Sequence, residues 1–227
     1  MLKSSLFSVL FSIFPVLAAP SLAGAQALPS AQVQTALSAP PAPALPSAED
    51  ITYHYCDDIT RIDHLQDRSA EPLQNFLTTP TNVDRIVVSK DRKELYLISG
   101  NAVIRKITVA FGLSPQGPKQ FDGDNKTPEG VYFIDGKNPK SDYYLSLHVS
   151  YPNFEDMIAA LAVDKKPGGE IMLHGFPNNI IKSIWVSQIH PANWTRGCIA
   201  MRDQEINEVF QLVQVNTPIE ICAMTSH

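Results

Sequence analysis

Residues 85–110 read Arg85-Ile86-Val87-Val88-Ser89-Lys90-Asp91-Arg92-Lys93-Glu94-Leu95-Tyr96-Leu97-Ile98-Ser99-Gly100-Asn101-Ala102-Val103-Ile104-Arg105-Lys106-Ile107-Thr108-Val109-Ala110. Short apolar runs are cut by two turn signals, Asp91-Arg92-Lys93 and Ser99-Gly100-Asn101. Such spacing predicts a meander of antiparallel strands. Val103, Ile107 and Val109 are the expected inward residues of the third strand. Further strands are expected at Val131–Ile134, Leu145–Tyr151, Ile171–Leu173 and Ile219–Ile221.

Two helices interrupt the series. The first follows Asn153 as N-cap and places Phe154, Met157, Ile158, Leu161 and Ala162 on one face. The second takes Asp203 as N-cap, with Ile206, Val209, Phe210 and Val213 along one side. Many strands and few helices predict a mainly β fold, a sandwich or barrel with two flanking helices.

Outward from this core, composition divides the chain. The protein has 227 residues, 44% hydrophobic and 18% charged, which excludes wholly disordered and collagen-like classes. The only charged residue before Glu49 is Lys3, and seven of the 18 prolines lie in residues 1–48. Residues 1–27 read as a secretory signal peptide, with Lys3, an apolar run from Leu6 to Leu17, and A-x-A sites ending at Ala25 and Ala27. That run is short of the roughly 20 residues a bilayer span needs, so no stable membrane span is expected after cleavage. Residues 28–48 are an Ala/Pro-rich linker. Residues 49–82 form an N-terminal extension, partly helical and leaning on the domain, with Pro72 interrupting it. The folded domain is expected over residues 83–223. A net charge of -5 argues against nucleic acid as a partner.

The chemistry concentrates in His174-Gly175 and Thr195-Arg196-Gly197-Cys198-Ile199-Ala200-Met201. A cysteine after a glycine, between loop and strand, can expose its sulfur. The N–H groups of Gly197 and Cys198 can face a developing oxyanion. An imidazole within reach would lower the thiol pKa. Taken alone, a cysteine in an apolar context is more often core than nucleophile. A histidine at a strand end is more often a surface or hydrogen-bonded residue than a base. No C-x-x-C or H-x-x-x-H pair is present, so no metal and no cofactor are expected.

His174-Gly175 followed by Thr195-Arg196-Gly197-Cys198-Ile199 resembles the L,D-transpeptidase catalytic domain, the YkuD family of bacterial cell-wall enzymes. Asp124-Asn125-Lys126-Thr127-Pro128-Glu129-Gly130 before a strand is similar to a second family block. The resemblance implies Cys198 as nucleophile and His174 as proton donor and acceptor. It also implies the Gly175 carbonyl as the group orienting His174, and Gly197 as an oxyanion donor. Arg196 and Thr195 become candidate substrate contacts, with a solvated loop charge as the equal reading of Arg196. Arg196 stands where many members have histidine, and Ala200 where many have asparagine or arginine. The loop from Phe176 to Trp194 and the Leu147–Asn153 stretch look closer to a periplasmic branch. That branch includes an enzyme that hydrolytically detaches lipoprotein from peptidoglycan.

The implied partner is a peptidoglycan stem peptide, with a wall-attached lipoprotein as a further candidate, in the periplasm or cell envelope. Three activities are compatible with these residues: transpeptidation, hydrolysis of the same thioester, and wall binding without catalysis. His148 and His190 read as packed or exposed histidines before they read as catalytic ones. Trp185 and Trp194 are either a lid over the site or buried anchors. In an oxidising compartment Cys56 and Cys222 are a candidate disulfide, with two unpaired thiols an equal reading.

Overall fold

The structure, a computed structural model, describes residues 54–79 and 81–224. The expected signal peptide and linker lie outside these residues. The meander is present as β2 (Arg85–Ser89), β3 (Glu94–Ser99) and β4 (Ala102–Thr108), paired antiparallel. Their side chains are apolar toward both faces because both faces are covered. Ile86, Val88, Leu95 and Leu97 enter the main core. Val87, Tyr96 and Ile98 enter a second cluster with Ile62 and Cys222, packed by Tyr55, Ile59 and Leu65 of the extension. This is why Ile86-Val87-Val88 is a continuous apolar run rather than an alternating one.

One expectation for β4 is corrected here. The register slips opposite Leu97 and Ile98, which pair with Arg105 and Val103, so Ile104 is left as an extra residue. A bulge re-aims side chains. Val103 therefore faces the extension, whereas Ile104, Ile107 and Val109 face the main core.

Nine strands join in the order β1-β4-β3-β2-β9-β5-β6-β7-β8. The others are β1 (Gln66–Asp67), β5 (Gly130–Ser141), β6 (Tyr144–Val149), β7 (Met172–His174), β8 (Ile199–Ala200) and β9 (Pro218–Cys222). Two irregularities in the twelve-residue β5 bend the sheet. Ala110 and Ala200 then exchange N–H···O bonds of 2.8 Å in both directions, stitching the chain after β4 to β8. The sheet thus curls toward a closed, mostly β body.

Four α-helices occur among the described residues: α1 (Leu73–Thr78), α2 (Phe154–Ala162), α3 (Ile180–Ile189) and α4 (Asp203–Leu212). Pro72 does not interrupt α1 but caps it from outside, where a missing N–H costs nothing. Asn153 caps α2 as expected, exchanging side-chain bonds of 3.0 and 2.9 Å with Asp156. The expected burial of its apolar face is not found: Phe154 and Leu161 are 71% and 70% exposed, and only Ala160 is buried. The helix is tethered through its first turn, where Asp156 accepts the Tyr132 hydroxyl. In α4 the N-cap is Arg202, one residue earlier than expected. The Asp203 carboxylate instead accepts the Phe176 N–H at 2.7 Å, fastening the segment after β7.

The extension is a structural layer. Cys56 and Cys222 form a disulfide, and β1 adds to β4 in parallel. The α1 ring Phe76 lies between the guanidinium groups of Arg68 and Arg105, 4.9 and 4.8 Å from its centroid. Among the described residues no helix is long and apolar enough to cross a membrane.

Candidate active site

The parallel pairing of β7 with β8 aligns Leu173 with Ile199 and His174 with Ala200. Leu173 and Ile199 point into the core. By alternation, Met172, His174 and, one residue before β8, Cys198 share the opposite face. That face is the floor of a cleft of about 700 Å³, which His174, Cys198, Met172 and Arg196 help to line. The sheet therefore brings the two sequence-predicted reactive groups into one cavity.

His174 is 4% exposed, and its Nδ1 lies 2.7 Å from the Gly175 carbonyl. A carbonyl can only accept, so Nδ1 carries the proton and Nε2 presents a bare lone pair. The Tyr143 ring packs 4.6 Å from the imidazole and Trp194 meets it edge-on at 5.6 Å. Burial pushes the imidazole down to about 4, against which the Gly175 carbonyl bond works. Near neutrality His174 is a neutral base.

Cys198 is a free thiol. It donates to the Glu170 carbonyl at 3.4 Å, and no hydrogen bond joins it to His174. Glu170 holds a left-handed backbone, φ 56°, after Gly168 and Gly169. Burial raises the thiol pKa, and the Met172 N–H and the Lys119 ammonium lower it less. The expected depression of the thiol by His174 is therefore corrected. A neutral imidazole offers no positive charge, and desolvation prevails.

The loop before Cys198 is held by the side chain expected to touch substrate. Thr195 is buried; its hydroxyl donates to the Cys198 carbonyl at 2.7 Å and accepts the Gly197 N–H at 3.1 Å. These two bonds brace the loop, and Thr195 also lines the cleft. The Gly197 N–H is thereby engaged by the Thr195 hydroxyl. What Gly197 supplies is space: its φ is 139°, and a Cβ there would lie 2.7 Å from the Lys126 carbonyl. Gly197→Ala is expected to cost about 2 kcal/mol or more of stability, read as a lower urea midpoint. An unchanged midpoint would overturn this account. Arg196 is exposed at the cleft.

The Thr127-Pro128-Glu129-Gly130 block supports this loop from below. Thr127 Oγ1 accepts the Gly112 N–H at 3.1 Å. The fully buried Lys90 ammonium binds the Thr127 carbonyl at 2.7 Å and Glu129 at 2.8 Å. It also reaches the Pro115 and Gly117 carbonyls, pinning residues 115–129.

The segment expected as a loop from Phe176 to Trp194 contains α3. Asn179 caps it, accepting the Lys182 N–H at 3.0 Å. The cap was legible as an Asn before an apolar run, but Ile180, Ile181, Ile184 and Trp185 are all exposed and give no one-sided pattern. Trp185 and Lys182 line the cleft from this helix, and Trp194 lines it beside His174. His190 is not an exposed loop residue: it is buried against Phe176, 5.5 Å between rings, and does not line the cleft. His148 pairs with Asp135 across β5 and β6.

The chain is similar to several known proteins. The YafK protein of Escherichia coli (strain K12) is 34% identical over 102 residues, covering 43% of this chain and 32% of YafK. The chain thus spans about a third of that relative. Among solved structures, the helical cell shape determining protein Pgp2 of Campylobacter jejuni is 23% identical. The alignment covers 68% of this chain and 56% of Pgp2, with a TM-score of 0.45. Bd1075 of Bdellovibrio bacteriovorus is 25% identical over 63% of this chain and 48% of that one, with a TM-score of 0.41. The family model of the L,D-transpeptidase catalytic domain matches residues 83–221, and the chain belongs to this YkuD family.

Proposed function

We propose that the protein is an exported cysteine acyltransferase acting on peptidoglycan stem peptides. The observation that carries the reading is a free thiol and a neutral, oriented imidazole facing one cleft. The Cys198 thiol leaves the Glu170 carbonyl and turns toward Nε2 of His174. As sulfur attacks the carbonyl at the L-centre of diaminopimelate in a tetrapeptide, its proton passes to Nε2. The Cys198 N–H faces the developing oxyanion. The C–N bond to D-alanine breaks, the imidazolium returns its proton to the leaving amine, and a thioester remains. An acceptor amine then attacks the thioester, giving its proton to His174 and regenerating the thiol. The Gly175 carbonyl keeps Nδ1 protonated throughout. Arg196 supplies a planar cation at the cleft mouth for a stem carboxylate.

The test is incubation of the mature protein with defined tetrapeptide muropeptides, followed by mass spectrometry. Cross-linked dimers with loss of alanine support the proposal. Shortened monomers without dimers mean that water takes the thioester. Unchanged muropeptides would leave a wall-binding module.

The pH profile follows from the direction of the two shifts. A histidine depressed to about 4 stays unprotonated, and so able to accept a proton, well below its ordinary 6.5. The acylation rate is expected to hold steady from neutrality downward and to fall only near that lower value. The raised thiol delays any thiolate-driven increase to alkaline pH. Acylation by a carbapenem, followed by intact mass across pH 4–9, checks this. An acid limb centred near 6.5 would overturn it.

A further inference from the structure

One side chain outside the reactive pair joins the two walls of the cleft. Asn178 lies between β7 and α3. Its N–H donates to the Asp142 carbonyl at 2.8 Å. Its Nδ2 donates to the Ser141 carbonyl at 2.9 Å, and its Oδ1 accepts the Tyr144 N–H at 2.9 Å. A single residue thereby fastens the whole β5–β6 turn to the segment that starts α3. Tyr144 is held left-handed there, φ 66°, a conformation that persists only where surrounding bonds over-determine it.

Tyr143 sits in the middle of that turn. Its N–H donates to the Ser141 hydroxyl at 3.1 Å, and its carbonyl accepts the Gly175 N–H at 3.1 Å. Its ring covers the His174 imidazole, and stacks at 6.4 Å on Trp194. Gly175 is therefore engaged twice: its N–H by the turn and its carbonyl by His174. The turn itself is exposed, so without the Asn178 bonds water competes directly for the Ser141 carbonyl and the Tyr144 N–H.

We propose that Asn178 is a positioning residue, which holds Tyr143 on His174 and so fixes the imidazole in its water-excluded, Nε2-available orientation. In its kinetic part the proposal rests on the acyltransfer reading. Loss of the side-chain bonds frees the turn, and a displacement near 1 Å at the base is enough to slow acylation steeply.

The experiment uses full-length mature protein and a carbapenem as probe, with Cys198 acylation followed by intact mass. Asn178→Ala is expected to slow acylation by about 10- to 100-fold. Tyr143→Ala should do the same, and the double variant should be no slower than Tyr143→Ala alone, because both act through one contact. Asn178→Asp keeps an acceptor for Tyr144 and loses the donor to Ser141, so it falls between. A second readout needs no activity: the His174 ring-proton resonance, shifted by the Tyr143 ring, should move alike in Asn178→Ala and Tyr143→Ala. Additive losses, or an unmoved His174 resonance in Asn178→Ala, would overturn the proposal. If the wild type is not acylated, the acyltransfer reading fails, and the resonance alone decides the role of Asn178.

Discussion

Cys198→Ala will form no acyl-enzyme and will lower product formation from tetrapeptide muropeptides by at least about 10³-fold. The size follows from the chemistry at the cleft floor. Cys198 is a free thiol facing the cleft, and no other cysteine or serine there is paired with a base among the described residues. Ser146 lines the cleft as the register partner of His174, with no hydrogen bond to the imidazole among the described residues. Alanine removes the sulfur and its resting bond to Glu170 while leaving the backbone of the loop intact. The Thr195 hydroxyl still bridges the Cys198 carbonyl and the Gly197 N–H. The variant should therefore keep the wild-type melting temperature, which separates lost chemistry from lost structure. Retained cross-linking or retained hydrolysis in Cys198→Ala would sink the nucleophile assignment.

His174→Ala removes the base but leaves the thiol, so it tests a different step. Because burial raises the thiol, little thiolate exists at neutral pH without a proton acceptor. On the proposed acyltransfer reading, the reaction then depends on transfer to Nε2 during attack rather than on a preformed ion pair. That distinction was not available from residue types. A Cys and a His in one motif suggest an ion pair, whereas the desolvated pair in this cleft is neutral.

The fold was legible where one local rule governed. The meander at residues 85–108 showed its turns through Asp91-Arg92-Lys93 and Gly100, and α2 showed its start through Asn153. The bulge at Ile104 was not legible, because it depends on the pairing of β3 with β4 rather than on alternation. Helix α3 was missed since apolar residues on exposed positions erase the amphipathic period. Thr195 and Gly197 were assigned to substrate and oxyanion from their place in a motif. The bonds that join the Thr195 hydroxyl to Gly197 and Cys198 depend on rotamers that no spacing encodes. Asn178 carried no signal at all: its partners lie 34 and 37 residues away in sequence.

The pairing of Cys56 with Cys222 leads to the second large effect. The bond closes a loop with a sequence separation of 166. In the chain-entropy account, a loop of this length stabilises by about 5 kcal/mol, and measured native disulfides by about 2–5. The Cys56→Ser, Cys222→Ser double variant should melt about 10 °C lower, at roughly 2–4 °C per kcal/mol for a domain of this size. Beside this effect on the unfolded chain, the bond has a local one. The bond fastens the 3₁₀ turn Tyr55–Asp57 to β9, where Glu220 also accepts the Cys56 N–H at 3.3 Å and binds Arg85 at 2.7 Å. Without the bond, the layer of Tyr55, Ile59 and Ile62 over Val87 and Ile98 still has its apolar contacts, these polar links, the Asp63–Arg92 pair and the β1–β4 pairing. Acylation of Cys198 should survive in the double variant at low temperature, since the cleft lies on other elements. Thiol counting gives the decisive check. Denatured without reductant, protein made under oxidising conditions should show one free thiol, and reductant should lower its melting temperature to that of the double variant. Three free thiols in protein made under oxidising conditions, or a reductant-insensitive melting temperature, would overturn the staple.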